Sequence, residues 1–533
     1  MGSTSPYSKS CKRTVILLPT FVLLLYWFTL WPHAGDRAHA QLRLFNQATT
    51  PWWSTFFDAL EAAQPDADPI FLNETIKPPF ENWKPVNDRA RPSLLNLTAS
   101  AITSLRNAHS TFVTSLPSLA ISLPYQPSTT GIVTTTGVNQ FGQVITLLLM
   151  LRQTGSKLPV QVVLDNSTSP WISMMCRDSL PSLGATCLYL NDAWEGITPP
   201  PPSFERFQWK ILSIIASTFQ NVLFLDADAL PVLNPDAIFA RGSQPFTSTG
   251  FVTWPDFWTP SASPDFFDIA GGVEIPQLTA RTSSESGVMI IDKLRHADTL
   301  VLSGYYNYYG PDYYYLMMTQ HGPGEGDKEV YLAAAMVLES LGRKGSYSPP
   351  TDWIGDGSTE LRKGYWDVKA MPRVHGRTVA GKWRGMFMQQ MCPMEDYRAV
   401  MEAIENEGLP PRKHRNRDVD IEDYLADSSF LARTGNLTIE HQLKRTMFFH
   451  HNGVKLDFTR ITDPGSGIIS QEENGDYARL WGDQGWIVAN TGRDVEKVLW
   501  EDATKFWCRQ HGFKKACELM KLVHEAVYAG LYS

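Results

Sequence analysis

The sequence has no surplus of positive charge, little cysteine and no internal repeat. Its 533 residues carry 47 Lys and Arg against 55 Asp and Glu, a formal net charge of −8. A nucleic-acid-binding face shows itself as a basic surplus, so that class of partner is excluded. Any bound polyanion then has to be neutralised locally, by a metal or a few cations. Hydrophobic content of 43% is ordinary for a globular chain, whereas the aromatic share of 12% is high.

Residues Thr14 to Trp31 are apolar apart from three Thr and Pro19. Eighteen or so such residues are just enough to cross a bilayer, and Lys9, Lys12 and Arg13 ahead of them place the amino terminus in the cytosol. A single-pass anchor with a lumenal body is the expectation; a cleaved signal peptide is the alternative. Asn-x-Ser/Thr acceptors at Asn73, Asn96, Asn166 and Asn436 agree with a lumenal body. Cys11 then lies on the cytosolic side, leaving Cys176, Cys187, Cys392, Cys508 and Cys517. An odd number excludes complete internal pairing; Cys176–Cys187 and Cys508–Cys517 are the local pairs, the second needing a break at Gly512.

Residues 32 to about 90, rich in Pro, Asn, Asp and scattered Trp, read as a stem, followed by a helix from about Pro92 to Leu116. The compact part starts with a strand at Gly131–Gly137. There follow a helix at Asn139–Gln153, strands at Leu158–Leu164 and Thr186–Leu190, and a helix at Phe207–Phe219. The next strand, Val222–Leu225, ends in Asp226-Ala-Asp228. This alternation predicts an α/β fold with a doubly wound nucleotide-binding half and a mixed sheet. Ligands of such sheets sit at the carboxyl ends of the strands. Two acids one residue apart repel each other when ionised, and therefore favour a hard divalent cation such as Mn²⁺ or Mg²⁺. Residues 405 to 427 read as an exposed charged insertion.

Three further clusters carry chemistry. Glu285-Ser-Gly287 opens a second apolar strand. Gly322 to Glu329 forms a glycine-rich loop that delivers Asp327 and Glu329 to the start of a helix, Val330–Leu341. Phe448-Phe-His450-His451-Asn-Gly453-Val-Lys455 brings two imidazoles and an ammonium to a turn. Imidazole as a metal ligand and Lys as a phosphate counter-charge suit a metal-bound diphosphate. Adjacent residues alternate sides of a strand, so one His faces the metal. As bland alternatives, the acids are helix caps, the histidines are structural, and the aromatics Trp254, Phe257, Trp258 and Tyr305 to Tyr315 are core rather than a stacking platform.

Together these clusters resemble GT-A type glycosyltransferases. Arg206-Phe-Gln-Trp-Lys210, Leu225-Asp-Ala-Asp228, Glu285-Ser-Gly-Val288 and His450-His-Asn-Gly453-Val-Lys455 are similar to glycogenin-like motifs, with Glu285 in place of an amide. The segments 223–239, 254–258, 285–293, 310–329 and 448–457 more closely resemble the fungal Golgi α-mannosyltransferases that branch and extend mannan side chains. That resemblance implies GDP-mannose as donor, Mn²⁺ or Mg²⁺, a mannose-terminated glycan acceptor, α-linkage with retention, and a type II Golgi membrane protein. A complex with other glycosyltransferases is left open.

On this reading Asp226, Asp228, His450 and His451 are the metal candidates. Lys210, Arg206, Thr134, Lys455, Gly287 and Gly453 touch the nucleotide sugar, and Asp327, Glu329 and Glu285 are the catalytic candidates. The expected organisation is a tail (1–13), an anchor (14–31), a stem and helical segment (32–128), a GT-A-like domain (129–492) and carboxyl-terminal helices packed on it (493–533). Rivals are a glycosyltransferase using a UDP-sugar, an Asp-nucleophile phosphatase, and a non-catalytic lectin or scaffold.

Overall fold

The computed structural model describes residues 34–72, 89–341 and 446–528, apart from a few short gaps, together with strands at 368–370, 373–375 and 386–390. Strand β1 is Gln126–Thr135, β2 Val160–Leu164, β3 Ala185–Tyr189, β4 Phe219–Leu225, β5 Ala229–Pro231, β6 Phe251–Pro255, β7 Ser284–Asp292 and β8 Val368–Ala370. Seven of these form one sheet in the order β3-β2-β1-β4-β7-β6-β8. From β3 to β4 the pairing is parallel; β7 runs antiparallel to both β4 and β6. The mixed sheet of the predicted α/β class is present.

The run Val222 to Leu225 is wholly buried because both faces of β4 are covered. Val222 and Phe224 point into one apolar cluster, Leu223 and Leu225 into the other. A period of two with both faces buried gives a continuous apolar run rather than alternation. Helix α3, Phe141–Gln153, buries every residue from Phe141 to Leu151 and ends before Gly155, at φ +83°. Helix α4 covers Gln208–Ala216, shorter than the expected Phe207–Phe219. Ser217 already has extended backbone, and the ring of Phe219 lies where a Cβ on Gly131 would stand, 2.3 Å away.

Ahead of the sheet, the reading of residues 32 to about 90 as a stem is overturned for Ala34–Ala62. These form a 29-residue helix, α1. Trp53, Phe56 and Leu60 recur at helical spacing and are fully buried, and Trp52 Nε1 donates to Leu119 O at 3.0 Å. Pro51 lies inside the helix, so a residue read as a breaker is accommodated. The second helix, α2, runs Ala99–Ile121, several residues later than expected, because Thr98 caps it by accepting from Ala101 N–H. Residues 14–31 and the insertion 405–427 lie outside the described residues. Among the described residues no helix is long and apolar enough to cross a membrane.

A smaller sheet, β5-β11-β10-β9, contains β9 Arg373–His375, β10 Met386–Gln390 and β11 Thr446–His451. Helices α5 (Ala297–Tyr308) and α6 (Val330–Ser340) cover one face of the large sheet. On the other face α8 (Val495–Trp507) and α9 (Lys514–Tyr528), preceded by α7 (Gln484–Thr491), share the cluster of α3 through Leu499, Trp500, Ala503 and Trp507. Both disulfides form as paired from the sequence, Cys176–Cys187 and Cys508–Cys517, with Gly512 at φ +90° in the turn between α8 and α9.

Candidate active site

Asp226 leaves β4 at its carboxyl end, and β5 begins three residues later. Backbone bonds hold the turn. Asp226 N donates to Gly287 O on β7 at 2.7 Å, and Ala229 N closes onto Asp226 O at 2.9 Å. Strand β11 then pairs with β5 in antiparallel register, placing His450 opposite Ala229, while His451 N donates to Asp228 O at 2.9 Å. One ligand atom each from Asp226, Asp228 and His450 lies within 4.8 Å of the others. Two carboxylates and an imidazole form a donor set that suits Mn²⁺ and accepts Mg²⁺ less readily.

Lys210, in the first turn of α4, reaches into this cluster from below. Its Nζ lies 3.3 Å from Asp226 Oδ2 and 3.2 Å from Asp327 Oδ2, and donates to Ser286 O and Oγ at 3.0 and 2.9 Å. Burial alone would lower its pKa, but Asp226, Asp327 and Glu285 hold the ammonium above its ordinary value. Asp226 is pushed up to about 6 by burial and by the charge of Asp228, against the pull of Lys210. Asp228 goes the other way: burial opposes ionisation, yet His450 and Lys455 hold it well below the usual carboxylate range. The charge of Asp228 works against ionisation of Asp226, and a divalent cation would relieve that repulsion.

The structure brings together most of the residues expected at the site. Asp327 is buried and bridges Lys210, the Tyr331 hydroxyl (3.1 Å) and Ser286 Oγ (3.4 Å). Lys455 sits half-exposed at the rim, paired with Asp228. Glu285 lies 3.4 Å from His450 Nδ1. Gly287 is required by close approach: a Cβ there would stand 2.5 Å from His450 Cε1, 2.7 Å from Glu285 Oε1 and 3.0 Å from Asp226 Oδ2.

Other expected residues are elsewhere. His451 turns away from the acids; its buried ring meets Trp481 at 5.4 Å, and burial lowers its pKa to about 3. Glu329 accepts from both the backbone N–H and the hydroxyl of Ser284, so it anchors the start of β7 instead of facing the acids. Arg206 is exposed at φ +43° before α4, making no hydrogen bond or ion pair with the acids among the described residues. Thr134 is fully buried in β1 with its hydroxyl unpartnered, outside the acid cluster. Gly453 and Phe257 lie outside the described residues. Trp254 is completely buried edge-on to Phe448, and Tyr305, Tyr306 and Tyr314 are interior, so these aromatics are core and not a stacking platform.

The sequence reading missed Ser286 and Tyr331. Tyr331 follows Asp327 by four residues, a spacing that could have suggested the contact. It also missed Lys328, whose buried Nζ pairs with Asp256 at 3.2 Å and donates to Pro323 O at 2.6 Å, tying down the glycine-rich loop.

An acid pair able to hold a metal after the central strand of a mixed α/β sheet, with an imidazole across it and a lysine beside it, is the arrangement expected of GT-A type glycosyltransferases. The comparison with known sequences narrows this. The model of a mannosyltransferase family matches residues 129–282 and 274–343. The chain is 27% identical to the Candida albicans alpha-1,2-mannosyltransferase MNN23 over 66% of its own length and 61% of the relative's. It is 30% identical to MNN21 of the same organism (78% and 62%) and 33% identical to MNN5 of Saccharomyces cerevisiae (46% and 50%). The chain therefore spans 50% to 62% of the length of these three relatives. Among solved structures, the galactosyltransferase LgtC is similar over 40% of this chain and 70% of that one, at 12% identity and a TM-score of 0.24, which carries no argument.

Proposed function

We propose that the chain transfers mannose from GDP-mannose to a mannose-terminated glycan, forming an α-1,2 linkage with retention and depending on Mn²⁺ or Mg²⁺. The observation that carries this reading is the convergence of Asp226, Asp228 and His450, from two distant segments, on one point above Lys210. The relatives' printed activity supplies the sugar and the linkage. The apolar segment 14–31 supports a type II anchor in the Golgi membrane.

Asp226, Asp228 and His450 would hold the metal, and a metal held there would supply Lewis-acid neutralisation of charge on a diphosphate leaving group. Lys210 keeps a fixed positive charge at a buried position, and needs no reorganisation as negative charge develops. Asp327 is oriented by three partners and presents a fixed carboxylate beside Asp226. Gly287 leaves the space in which the acids and His450 meet, and Lys455 closes the rim over Asp228.

The test is release of GDP from GDP-mannose by the full chain with Mn²⁺, with and without a mannoside acceptor, followed by linkage analysis of the product. Release in the wild type and its loss in Asp228→Ala are expected. An absence of release from any nucleotide sugar sinks the reading, and release from a UDP-sugar alone replaces the donor.

A further inference from the structure

Glu285 stands among the catalytic candidates by sequence, yet its surroundings leave it another task. It is buried in β7, and its Oε1 accepts from the Gly287 N–H while lying 3.4 Å from Nδ1 of His450. The other ring nitrogen of His450, Nε2, lies 3.4 Å from Asp228 Oδ1, on the side of the acid pair. The imidazole therefore stands between two carboxylates, one on each nitrogen.

An imidazole binds a cation only through a lone pair, so its second nitrogen must carry the proton. A carboxylate on that N–H fixes the tautomer and the ring orientation, and makes the ligand nitrogen more basic. The geometry points to Glu285 as the positioning residue of His450, its carboxylate 3.4 Å from Nδ1 and so placed to take that N–H when Nε2 is presented to the metal. Gly287 supports the assignment. His450 Cε1, Glu285 Oε1 and Asp226 Oδ2 all crowd within 3.0 Å of the place where its Cβ would be, so glycine lets the three groups approach, and the 3.4 Å between Oε1 and Nδ1 leaves no room for an atom between them. Glu285 acts through His450 and touches no sugar.

The inference rests on Asp226, Asp228 and His450 being a metal site, and its test reads binding of Mn²⁺ alone, without turnover. The full chain is titrated with Mn²⁺, and free Mn²⁺ is followed by electron paramagnetic resonance. Wild type is expected to bind saturably, Asp228→Ala to lose binding, and Glu285→Gln to bind about 10–100-fold more weakly, the usual cost of removing a ligand's outer-shell partner. Glu285→Asp keeps the charge but shortens the reach, and is expected to fall between the two; it serves if the Gln variant fails to fold.

Loss of a negative charge alone would also weaken a cation, so the variants are repeated with His450→Ala. Positioning predicts that Glu285→Gln then has no further effect on Mn²⁺ affinity; an undiminished effect overturns the assignment. Glu285→Gln binding Mn²⁺ as wild type does, with turnover reduced, also overturns it and returns Glu285 to the substrate. If wild type and Asp228→Ala bind Mn²⁺ alike, the metal site itself falls and the positioning role with it.

Discussion

Helix α4 has a buried lysine at each end, and the two are opposites. Lys210, at the start, stands among Asp226, Asp327 and Ser286, and its charge is held above the ordinary value. Lys293, just past the far end of β7, is fully buried and donates to the carbonyls of Ile215 and Ser217 at 2.9 and 2.6 Å. These are carbonyls at the carboxyl end of α4, which need a donor and whose dipole favours a cation. With only carbonyls as acceptors, burial pushes the Lys293 ammonium well below its ordinary 10.5. Burial of a cation thus does not mark a site. What separates the two ends is the number of carboxylates around the charge.

That contrast can be broken at four points. Gly287→Ala, at the acid end, is expected to have the largest effect. Its Cβ would displace His450 or Asp226, so Mn²⁺ binding should vanish while the circular dichroism of the fold is kept. Lys210→Met removes a fixed charge beside the developing one, and turnover should fall about 10²–10³-fold with the chain still folded.

At the other end, Lys293→Met leaves carbonyls without a donor, at a cost of about 1–3 kcal/mol for each buried group. The denaturant midpoint should drop, whereas GDP release per folded molecule should be unchanged. The pH dependence carries a sign. Between the lowered folded pKa and 10.5 the unfolded chain binds more protons at Lys293 than the native one, so stability rises with pH in that window. Methionine has no such slope, so the stability lost in Lys293→Met should grow as pH is raised towards 10. A constant difference would show that Lys293 stays protonated in the fold.

The smallest effect is expected at His451, whose buried ring packs against Trp481, away from the acids. His451→Phe should change stability by about 1 kcal/mol and leave turnover within a few-fold, since the packing on Trp481 is kept and one hydrogen bond, to the Val454 backbone, is removed. His450→Phe should weaken Mn²⁺ binding strongly, leaving the residual affinity of the two carboxylates. Equal losses in both variants would mean that the two imidazoles share the metal.

The acid pair, the histidine strand and Lys210 were legible because each is a local pattern: an apolar run ending in polar residues, or a lysine on a helix just before it. The stem reading failed at Pro51, whose presence hid the helical spacing of Trp53, Phe56 and Leu60. Asp327 and Glu329 look equivalent in a flexible loop. They separate only because Ser284 takes one carboxylate while Lys210 and Tyr331 take the other. The tyrosines from Tyr305 to Tyr315 read more readily as core than as a platform, and α2 makes them core: Phe112 stacks on Tyr305 at 4.5 Å and His109 on Tyr306 at 5.7 Å.

Residue order alone determined that two carboxylates end a buried strand, that two adjacent imidazoles lie on another, and that a lysine precedes the acids. Those are consequences of hydrophobic period and turn chemistry, which act over a few residues. Which groups meet was decided by the tertiary structure. The antiparallel pairing of β11 with β5 puts His450 opposite Ala229, so His450 and not His451 faces Asp228, and β7 beside β4 brings Glu285 to the imidazole's other nitrogen. Register between strands far apart in the chain is set by packing across the whole sheet, and a shift of one residue would exchange the two histidines.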